Sequence, residues 1–262
     1  MSGRTVSARA RSVIPRLFEV FLRAYGPQGW WPIPMNGRGP GFDQRGYHPG
    51  IYDFPRTRAQ RFEIVLGAIL TQNTAWTNVE KALSALAAAG VRTVEDVLGR
   101  PAGELALLIR PSGYYNQKAK KLLAMAEYLA KLSGRNPPTR EELLSIWGVG
   151  EETADSILLY AFRVPVFVVD AYTRRLLHRI GLTDAHQGYG EVQRLFASAL
   201  PADHVLFDEY HALIVRHAKE HCTSRPICKG CPVPSCRYRR EHAASESSRE
   251  GRMPRRRKEL ST

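Results

Sequence analysis

The chain has 262 residues, 44% of them hydrophobic and 24% charged, which is enough to bury the core of one large domain or two small ones. Its longest apolar run, residues 64–70 with Gly67 inside, is far too short to cross a bilayer, so we expect no membrane span. The net charge of +13 predicts a polyanionic partner, and nucleic acid is the usual one.

The positive charge is not confined to one end of the chain. Residues 237–262 hold nine Lys or Arg against four Glu, and the remaining chain still carries +8. Residues 241–262 are poor in apolar side chains and are predicted to form a disordered basic tail that adds nonspecific DNA affinity. Residues 1–19 faintly resemble a transit peptide, but Pro15 and the missing cleavage signal favour a surface arm or first helix. The expected location is the cytoplasm of a bacterium or archaeon, with the nucleoid.

Apolar residues recur at helical spacing along most of the chain. A first helix is predicted over residues 10–25, followed by about thirty residues dense in Gly and Pro, and loops of that length are usually functional or disordered. The remaining helices are predicted at residues 61–72, 75–89, 93–98, 102–109, 114–132, 139–146, 151–163, 170–180, 188–199 and 203–220. Only residues 164–169 alternate like a short strand, so the sequence predicts an all-α protein of two helical lobes.

All four cysteines lie within fifteen positions, in the pattern C-x5-C-x2-C-x4-C formed by Cys222, Cys228, Cys231 and Cys236. Cytosolic thiols are kept reduced, so this cluster predicts a metal site rather than disulfides. Zinc sites usually pair two C-x2-C knuckles, and only one is present. The spacing therefore favours an iron–sulfur cluster, with zinc as the alternative.

Residues 144–157 (LSIWGVGEETADSI) predict two short helices joined by the hairpin Gly148-Val149-Gly150. Glycines permit positive φ and leave the amides unobstructed, and amides at a helix N-terminus bind phosphate. The pattern is typical of a helix-hairpin-helix, which clamps the DNA backbone without regard to sequence. A plain corner between two helices is the alternative.

An apolar run at residues 164–169 leads to Asp170 at the start of the next predicted helix. An aspartate there is expected as an N-cap, and capping alone would explain it. The hairpin, the following Pro165, this aspartate and the cysteine cluster form a much more specific combination than any one of them.

Over residues 14–240 the chain resembles the endonuclease III superfamily of DNA glycosylases, the helix-hairpin-helix/Gly-Pro-Asp enzymes. Within it, the chain is most similar to the endonuclease III-related branch that includes 3-methyladenine DNA glycosylase III. The matching segments are WWP (30–32), LTQNTAW (70–76), GYYNQKAKKL (113–122), ETADSILLYAF (152–162) and FVVDAYTRR (167–175).

The resemblance implies that Asp170 is the catalytic carboxylate, which stabilises the oxocarbenium charge that builds on the sugar as the base leaves. Glu152 stands where bifunctional endonuclease III carries its Schiff-base lysine. A carboxylate cannot form an imine, so the implied enzyme is monofunctional and leaves an abasic site. Because any helix favours Glu in its first turn, a purely structural role for Glu152 is the alternative.

The flipped base needs a pocket. By resemblance, Trp30, Trp31 and Pro32 line an alkylpurine pocket, and Trp76 sits where an aromatic ring stacks on the base. Electron-rich rings favour a cationic alkylated purine, which is already a good leaving group. The alternative is that these tryptophans belong to the core.

The resemblance also suggests contacts to the duplex. Gln72 would fill the hole left by the flipped nucleotide, and Tyr114 would act as the wedge beside it. His211 and His217 are interpreted as packing or DNA contacts. Candidate phosphate contacts are Lys118, Lys120, Lys121, Arg174 and Arg175.

The chain departs from the family pattern in two places. The cysteine loop is one residue shorter at each outer spacing than the C-x6-C-x2-C-x5-C of endonuclease III, but four ligands survive, so a [4Fe-4S] cluster is expected. Residues 33–61 are longer than expected between WWP and the next core helix, which predicts either a lid over the pocket or a disordered insert.

The predicted organisation has four parts. Residues 1–60 join the cluster lobe, residues 61–165 form the lobe with the helix-hairpin-helix, residues 166–240 hold the catalytic helix and cluster, and residues 241–262 form the tail. The implied activity is removal of an alkylated purine such as 3-methyladenine from double-stranded DNA by a monomer with no membrane association. The rivals are a glycosylase for uracil, mismatched thymine or an oxidised base, and a non-catalytic DNA-damage binding module.

Overall fold

A computed structural model describes residues 8–132 and 137–242 of the chain, and this part is helical and contains no β-strand. Residues 1–7 and the predicted tail beyond residue 242 lie outside the described residues. The helices are α1 (Ala8–Tyr25), α2 (Arg58–Leu70), α3 (Trp76–Ala88), α4 (Val94–Leu98), α5 (Ala102–Leu108), α6 (Tyr115–Lys131), α7 (Arg140–Ser145), α8 (Glu151–Ser156), α9 (Ala171–Ile180), α10 (Tyr189–Ala199) and α11 (His204–Glu220). The all-α prediction is confirmed.

Two details differ from the sequence prediction. Helix α8 ends at Ser156 and continues as a π-helical segment, Ile157–Ala161, where one continuous α-helix was expected. The stretch 164–169 is extended, but it forms no strand with any described segment. It is instead the connection that carries the chain into α9. None of the described helices combines the length and apolar character that crossing a membrane would require.

The helices form two lobes. One contains α2–α8, with α6 packed against α4 and α5, and α2 packed against α3, α6 and the π-helical segment. In the other, α1 packs against α10 and α11, and α9 lies against α11. Hydrogen bonds join the two ends of the chain: the Tyr210 hydroxyl donates to the Ile14 carbonyl at 2.7 Å, and Arg9 donates to the Ile180 carbonyl at 3.0 Å.

Helix α2 is the central element of its lobe. Thr57 starts it with a capping box, accepting from the Gln60 amide while its own amide donates to the Gln60 side chain. Every residue from Phe62 to Leu70 is buried, so the helix runs through the core rather than along its surface. Helix α2 ends at Leu70, two positions before Gln72. It therefore places the turn that contains Gln72 next to the hairpin, where Gln72 contacts the Gly148 carbonyl.

The Gly/Pro-rich segment between α1 and α2 is folded against the core. Ile33, Met35 and Phe54 are buried. The buried Glu63 carboxylate of α2 accepts from the Met35 amide at 2.6 Å and from the Asn36 amide and side-chain nitrogen, both at 2.9 Å. Burial raises the pKa of Glu63 to about 7, against these donors, which lower it. The segment is thus a packed wall of the protein and not a disordered insert.

Replacement of Glu63 by Gln is expected to destabilise the fold by about 1–3 kcal/mol, because the new NH₂ group faces donors and leaves at least one buried amide unpaired. Denaturant unfolding measures the effect. The matched control is Glu127→Gln on the exposed side of α6, which should change stability by less than about 0.5 kcal/mol. Equal stability of the two variants would show that Glu63 does not hold the segment.

Candidate active site and DNA-binding face

Asp170 lies at the centre of the candidate site, where the extended stretch meets α9. Its Oδ1 accepts from the Thr173 amide at 2.7 Å, so it caps the helix as predicted. The residue is only 8% exposed. Burial alone would raise the pKa of Asp170, but the nearby His211 and the hydrogen bond from the Thr173 amide together lower it below its ordinary value. The carboxylate is therefore ionised at neutral pH.

Two residues that the sequence analysis did not assign to catalysis lie beside this carboxylate. His211, on α11, has its Nε2 3.6 Å from Asp170 Oδ2. Its Nδ1 lies 2.6 Å from the hydroxyl of Tyr160, which belongs to the π-helical segment. Both side chains are buried. The interpretation of His211 as a DNA contact is therefore wrong, whereas its interpretation as a packed residue holds in part.

Trp30 and Trp31 differ in their surroundings. Trp31 is 5% exposed and packs edge-on against Trp76, at a ring separation of 5.3 Å. A Cβ on Gly67 would lie 2.7 Å from Trp31 Nε1, so only glycine leaves room for this indole. Pro32 is also buried. Trp31 and Pro32 thus occupy the core position that was the alternative hypothesis, and Trp76 braces Trp31.

Trp30 is the partly exposed member of the pair. Its ring lies 5.7 Å from His211 and 6.3 Å from Tyr160. Beside it opens a cavity of about 410 Å³, between the 43–49 part of the folded segment and α11. Among Trp30, Trp31 and Trp76, only Trp30 both packs against His211 and Tyr160 and lines this cavity. Basic side chains at this cavity are Arg45, Arg216 and Lys219.

The hairpin has the predicted form. Gly148 has φ +82°, a backbone conformation that favours glycine. A Cβ there would also lie 2.5 Å from the side chain of Lys121, so a larger residue would have to displace that lysine. Gly150 begins α8 with open space around its Cα. Val149 is buried and its amide donates to the Ile146 carbonyl, so it contributes packing rather than a phosphate contact. Trp147, 55% exposed, projects beside the hairpin and was not predicted as a site residue.

Gln72 is held against the hairpin. Its side-chain nitrogen donates to the Gly148 carbonyl at 3.2 Å and to the Thr153 hydroxyl at 2.9 Å, and its oxygen accepts from Lys121 Nζ at 2.6 Å. All three hydrogen bonds would have to break for this side chain to enter a duplex. The neighbouring Asn73 is exposed and has φ +54°, an uncommon conformation for a residue other than glycine.

Tyr114 is well placed for contact with DNA. It is 72% exposed, and it precedes α6 with φ +46°. Asn73, after α2, and Tyr114, before α6, are therefore two exposed non-glycine residues with left-handed backbone. Both lie on the side of the lobe that holds the hairpin. Strained backbone of this kind is often found at functional sites.

The predicted phosphate contacts fall into three groups. Lys118 is 1% exposed and its ammonium donates to the Leu70 and Ser112 carbonyls at 2.8 and 2.7 Å, so its prediction as a surface contact is wrong. Burial, with the charge of Lys121 second, lowers the pKa of Lys118 to about 8. Lys120 is exposed. Arg174 donates to the Gln187 carbonyl and Arg175 to the Cys222 carbonyl, both at 2.6 Å, so each also has a structural bond.

The four cysteines line one cavity at the end of α11. Arg179 donates to Cys222 Sγ at 3.2 Å and to the Thr223 carbonyl at 2.6 Å. Across the described chain, no three His, Cys, Asp or Glu side chains converge closely enough to hold a single metal ion. Four thiolates are the donor set of either an iron–sulfur cluster or a zinc ion. His217, predicted as packing or DNA contact, stacks on Phe21 at 4.5 Å beside this loop.

The family model of the HhH-GPD superfamily of base excision DNA repair proteins matches residues 66–202, which include the hairpin and Asp170. The chain belongs to this superfamily. A candidate DNA repair glycosylase of Methanocaldococcus jannaschii is 38% identical over 231 residues, which covers 84% of this chain and 94% of that protein. More distant HhH-GPD relatives bear the names endonuclease III and thymine-DNA glycosylase.

Solved HhH-GPD structures agree with the fold. A non-covalent endonuclease III–DNA complex matches with a TM-score of 0.70 at 22% identity, covering 89% of this chain and 98% of that one. The 3-methyladenine DNA glycosylase MagIII of Helicobacter pylori, bound to 1,N6-ethenoadenine, matches with a TM-score of 0.59 at 27% identity, covering 80% of this chain and 97% of that one. The resemblance to the endonuclease III superfamily is thereby confirmed.

Glu152 lies in the first turn of α8. The surrounding protein and the charge of Asp170 raise the pKa of Glu152, while the charge of Arg174 opposes the shift. It thus stands close enough to Asp170 for the two carboxylates to repel each other. This position is compatible with both roles considered from the sequence: a residue of the base pocket, or an acid that stabilises the first turn of the helix.

Sequence reasoning missed Tyr160, His211 and Asn73. Tyr160 lies in a run of apolar helix residues, and His211 precedes the cysteine loop on a helix that is largely buried, so each had the pattern of an ordinary core residue. The positive φ of Asn73 has a weak local signal, since Asn tolerates the left-handed region better than most residues.

Proposed function

We propose that the protein is a monofunctional DNA N-glycosylase of base excision repair that removes an alkylated purine, such as 3-methyladenine, from double-stranded DNA, acting as a monomer. The observation that carries the proposal is Asp170, a buried and ionised carboxylate at the start of α9. Its neighbour His211 packs against the partly exposed ring of Trp30.

The proposed chemistry needs one anion and one water. As the bond between sugar and base lengthens, positive charge develops on the sugar, and the Asp170 carboxylate stabilises that charge. Water then adds to the sugar, and the base departs with the electron pair of the broken bond. A cationic alkylpurine leaves as a neutral base, so no strong general acid is required.

The pocket supports a flat, electron-poor base. Trp30 offers a partly exposed indole 5.7 Å from the ring of His211, the neighbour of Asp170, and an indole face attracts a cationic ring through cation–π interaction. Glu152 adds a second carboxylate near Asp170, whereas Arg45, Arg216 and Lys219 line the cavity, so the preference for a cationic base rests on the indole and the two carboxylates. The match to the 3-methyladenine DNA glycosylase MagIII, bound to 1,N6-ethenoadenine, supports a modified purine as the substrate.

The absence of lyase activity is proposed from Glu152 and from two lysines beside the hairpin. Glu152 cannot form an imine. Lys118 is buried with its ammonium bound to two carbonyls, and Lys121 is bound to Gln72, so neither amine is presented to an abasic site. Lys219 lines the cavity beside Trp30, near enough to Asp170 for their charges to interact, so it is the amine that borohydride trapping tests. Release of an alkylated base without borohydride trapping of a protein–DNA adduct is therefore the expected result.

We propose that the hairpin binds a backbone phosphate through the amides around Gly150, while Tyr114 wedges into the duplex. Asn73 replaces Gln72 as the residue that fills the hole left by the flipped nucleotide, since Gln72 braces the hairpin. The exposed Trp147 lies where it would lean on the DNA backbone beside the hairpin.

Replacement of Tyr114 by Ala is expected to slow base release from duplex DNA by about 10- to 100-fold, the loss of roughly one stacked base contact. Because the side chain is largely exposed, folding should be unaffected. Single-turnover assays on duplex and single-stranded substrates provide the check. The defect should nearly vanish on single strands, which need no wedge, and Tyr114→Phe should retain the wild-type rate. An equal defect on both substrates would contradict the wedge role.

The four cysteines are proposed to hold a [4Fe-4S] cluster, with zinc as the alternative. A bound cluster would tie the loop after α11 to α9 through Arg179 and Arg175, and we propose a structural role for it. Metal analysis of the anaerobically purified protein should find about four iron atoms per chain. One zinc and no iron would overturn the cluster assignment. Cys228→Ser should lower the metal content and the thermal stability together, whereas Ser224→Ala, in the same loop, should change neither.

The deciding experiment is release of free bases from methylated duplex DNA by the purified protein, with borohydride trapping in parallel. Released 3-methyladenine supports the proposed substrate. If only uracil, mismatched thymine or an oxidised base is released, the enzyme class stands and the substrate is different. DNA binding with no base released from any of these substrates would favour a non-catalytic damage-binding module.

A further inference from the structure

We propose that His211, held in one tautomer by Tyr160, is a positioning residue that donates a hydrogen bond to Asp170 and keeps this carboxylate oriented toward the sugar. The inference rests on the proposed glycosylase function, because it assigns His211 and Tyr160 a part in that reaction. Neither residue belongs to the helix-hairpin-helix or to the cysteine loop.

The first argument is geometric. Asp170 Oδ1 accepts from the Thr173 amide, and no hydrogen bond to Oδ2 is formed by the described residues. His211 Nε2 lies 3.6 Å from Oδ2. This nitrogen is buried and has no hydrogen-bond partner among the described residues. A buried polar atom without a partner is costly, and a movement of about half an ångström would bring it within hydrogen-bonding distance of Oδ2.

The second argument concerns the proton. Tyr160 is buried, and burial raises the pKa of its phenol well above the ordinary value, so the hydroxyl stays protonated. At 2.6 Å from Nδ1 it can donate to that nitrogen. A neutral imidazole whose Nδ1 accepts must carry its single proton on Nε2. The hydroxyl therefore selects the tautomer in which N–H points toward Asp170.

The third argument concerns the surroundings of the pair. The His211 ring lies edge-on to Trp30 at 5.7 Å, and Tyr160 packs against Trp31 at 5.0 Å. His211 thus lies between the partly exposed Trp30 and the carboxylate, and Tyr160 connects it to the buried Trp31. A base that packs against Trp30 would confine the imidazole, and through it the carboxylate, in one orientation.

Two isosteric substitutions separate positioning from packing. Glutamine places its side-chain nitrogen near the position of imidazole Nε2, whereas asparagine places it near Nδ1. His211→Gln therefore keeps a donor for Asp170 and should retain the single-turnover rate within about threefold. His211→Asn keeps only the contact to Tyr160 and should lose about 10- to 100-fold, the range expected for a lost hydrogen bond to a charged group. DNA affinity should be unchanged in both.

Tyr160→Phe is the companion variant, because it keeps the ring and removes only the hydroxyl. We expect its rate to fall about tenfold, with unchanged DNA affinity, since the tautomer is no longer selected. Equal rates of base release for the Gln and Asn variants at position 211, or a wild-type rate for Tyr160→Phe, would overturn the proposal.

A measurement on the unmodified protein keeps the inference testable even if variants fold poorly. Nitrogen-15 NMR of histidine-labelled protein reports which ring nitrogen carries the proton. A His211 signal with the proton on Nε2 supports the proposal, and a proton on Nδ1 alone contradicts it. If the wild-type protein releases no base from any substrate, the proposed function fails. The NMR measurement of the His211 tautomer still tests the inferred hydrogen bonds of His211 with Tyr160 and Asp170.

Discussion

Asp170→Asn should reduce base release by at least 10²- to 10³-fold while leaving DNA affinity nearly unchanged. The variant removes the negative charge that opposes the developing sugar cation, and electrostatic groups of this kind commonly account for that range of rate. Asparagine is as good an N-cap as aspartate, so the Thr173 amide keeps its acceptor and α9 its start. A loss of activity in this variant therefore cannot be attributed to an uncapped helix.

The measurement is single-turnover release of 3-methyladenine from methylated duplex DNA, with affinity for an abasic-site analogue followed in parallel. Asp203→Asn provides the matched control, because Asp203 caps α11 by accepting from the Val205 amide and lies outside the cleft. The control should retain the wild-type rate. Undiminished activity of Asp170→Asn would remove Asp170 from the catalytic role.

Glu152→Lys should convert the protein from one that forms no trapped adduct into one that does. The substitution places an amine in the first turn of α8, close enough to Asp170 for their charges to interact. An amine beside the sugar can attack its C1′ carbon and form an imine, which borohydride reduces to a stable bond. The expected result is a covalent protein–DNA band from abasic or methylated duplex that the wild type lacks.

Two further variants make this test specific. Glu151→Lys, one residue earlier, places the same charge in the same turn but beside Arg140, which Glu151 contacts at 3.3 Å, and should yield no adduct. The double variant Glu152→Lys with Asp170→Asn should lose base release from methylated DNA while its amine remains. A trapped adduct with the wild-type protein would show that another lysine reaches the sugar, and would overturn the proposal of a monofunctional enzyme.

Local sequence signals were sufficient for the elements of the fold. With the π-helical segment counted as part of α8, the helices were predicted within three residues at their ends, because apolar periodicity, capping residues and Gly/Pro punctuation act over a few positions. The π-helical segment was not predicted, since the pattern of residues 151–163 is that of a continuous helix. Its consequence is functional, because Tyr160 lies within it.

Lys118 and Gln72 show where local reasoning fails. A lysine in the first turn of a basic helix has every local feature of a phosphate contact, yet packing of α6 against α2 turns its ammonium toward the Leu70 carbonyl. Gln72 and Asn73 are neighbours of similar chemistry, and only the approach of the hairpin carbonyl of Gly148 distinguishes the anchored side chain from the exposed one.

The sequence by itself determined the all-α class, the helix-hairpin-helix, the cap at Asp170 and the group of four cysteines, because each is encoded within about fifteen consecutive residues. Only the tertiary structure brought Tyr160 to His211, fifty-one positions apart, and His211 to Asp170. Such contacts depend on how the two lobes pack. Burial in that packing, rather than residue type, also decided which tryptophan joined the core and which one faces the cavity.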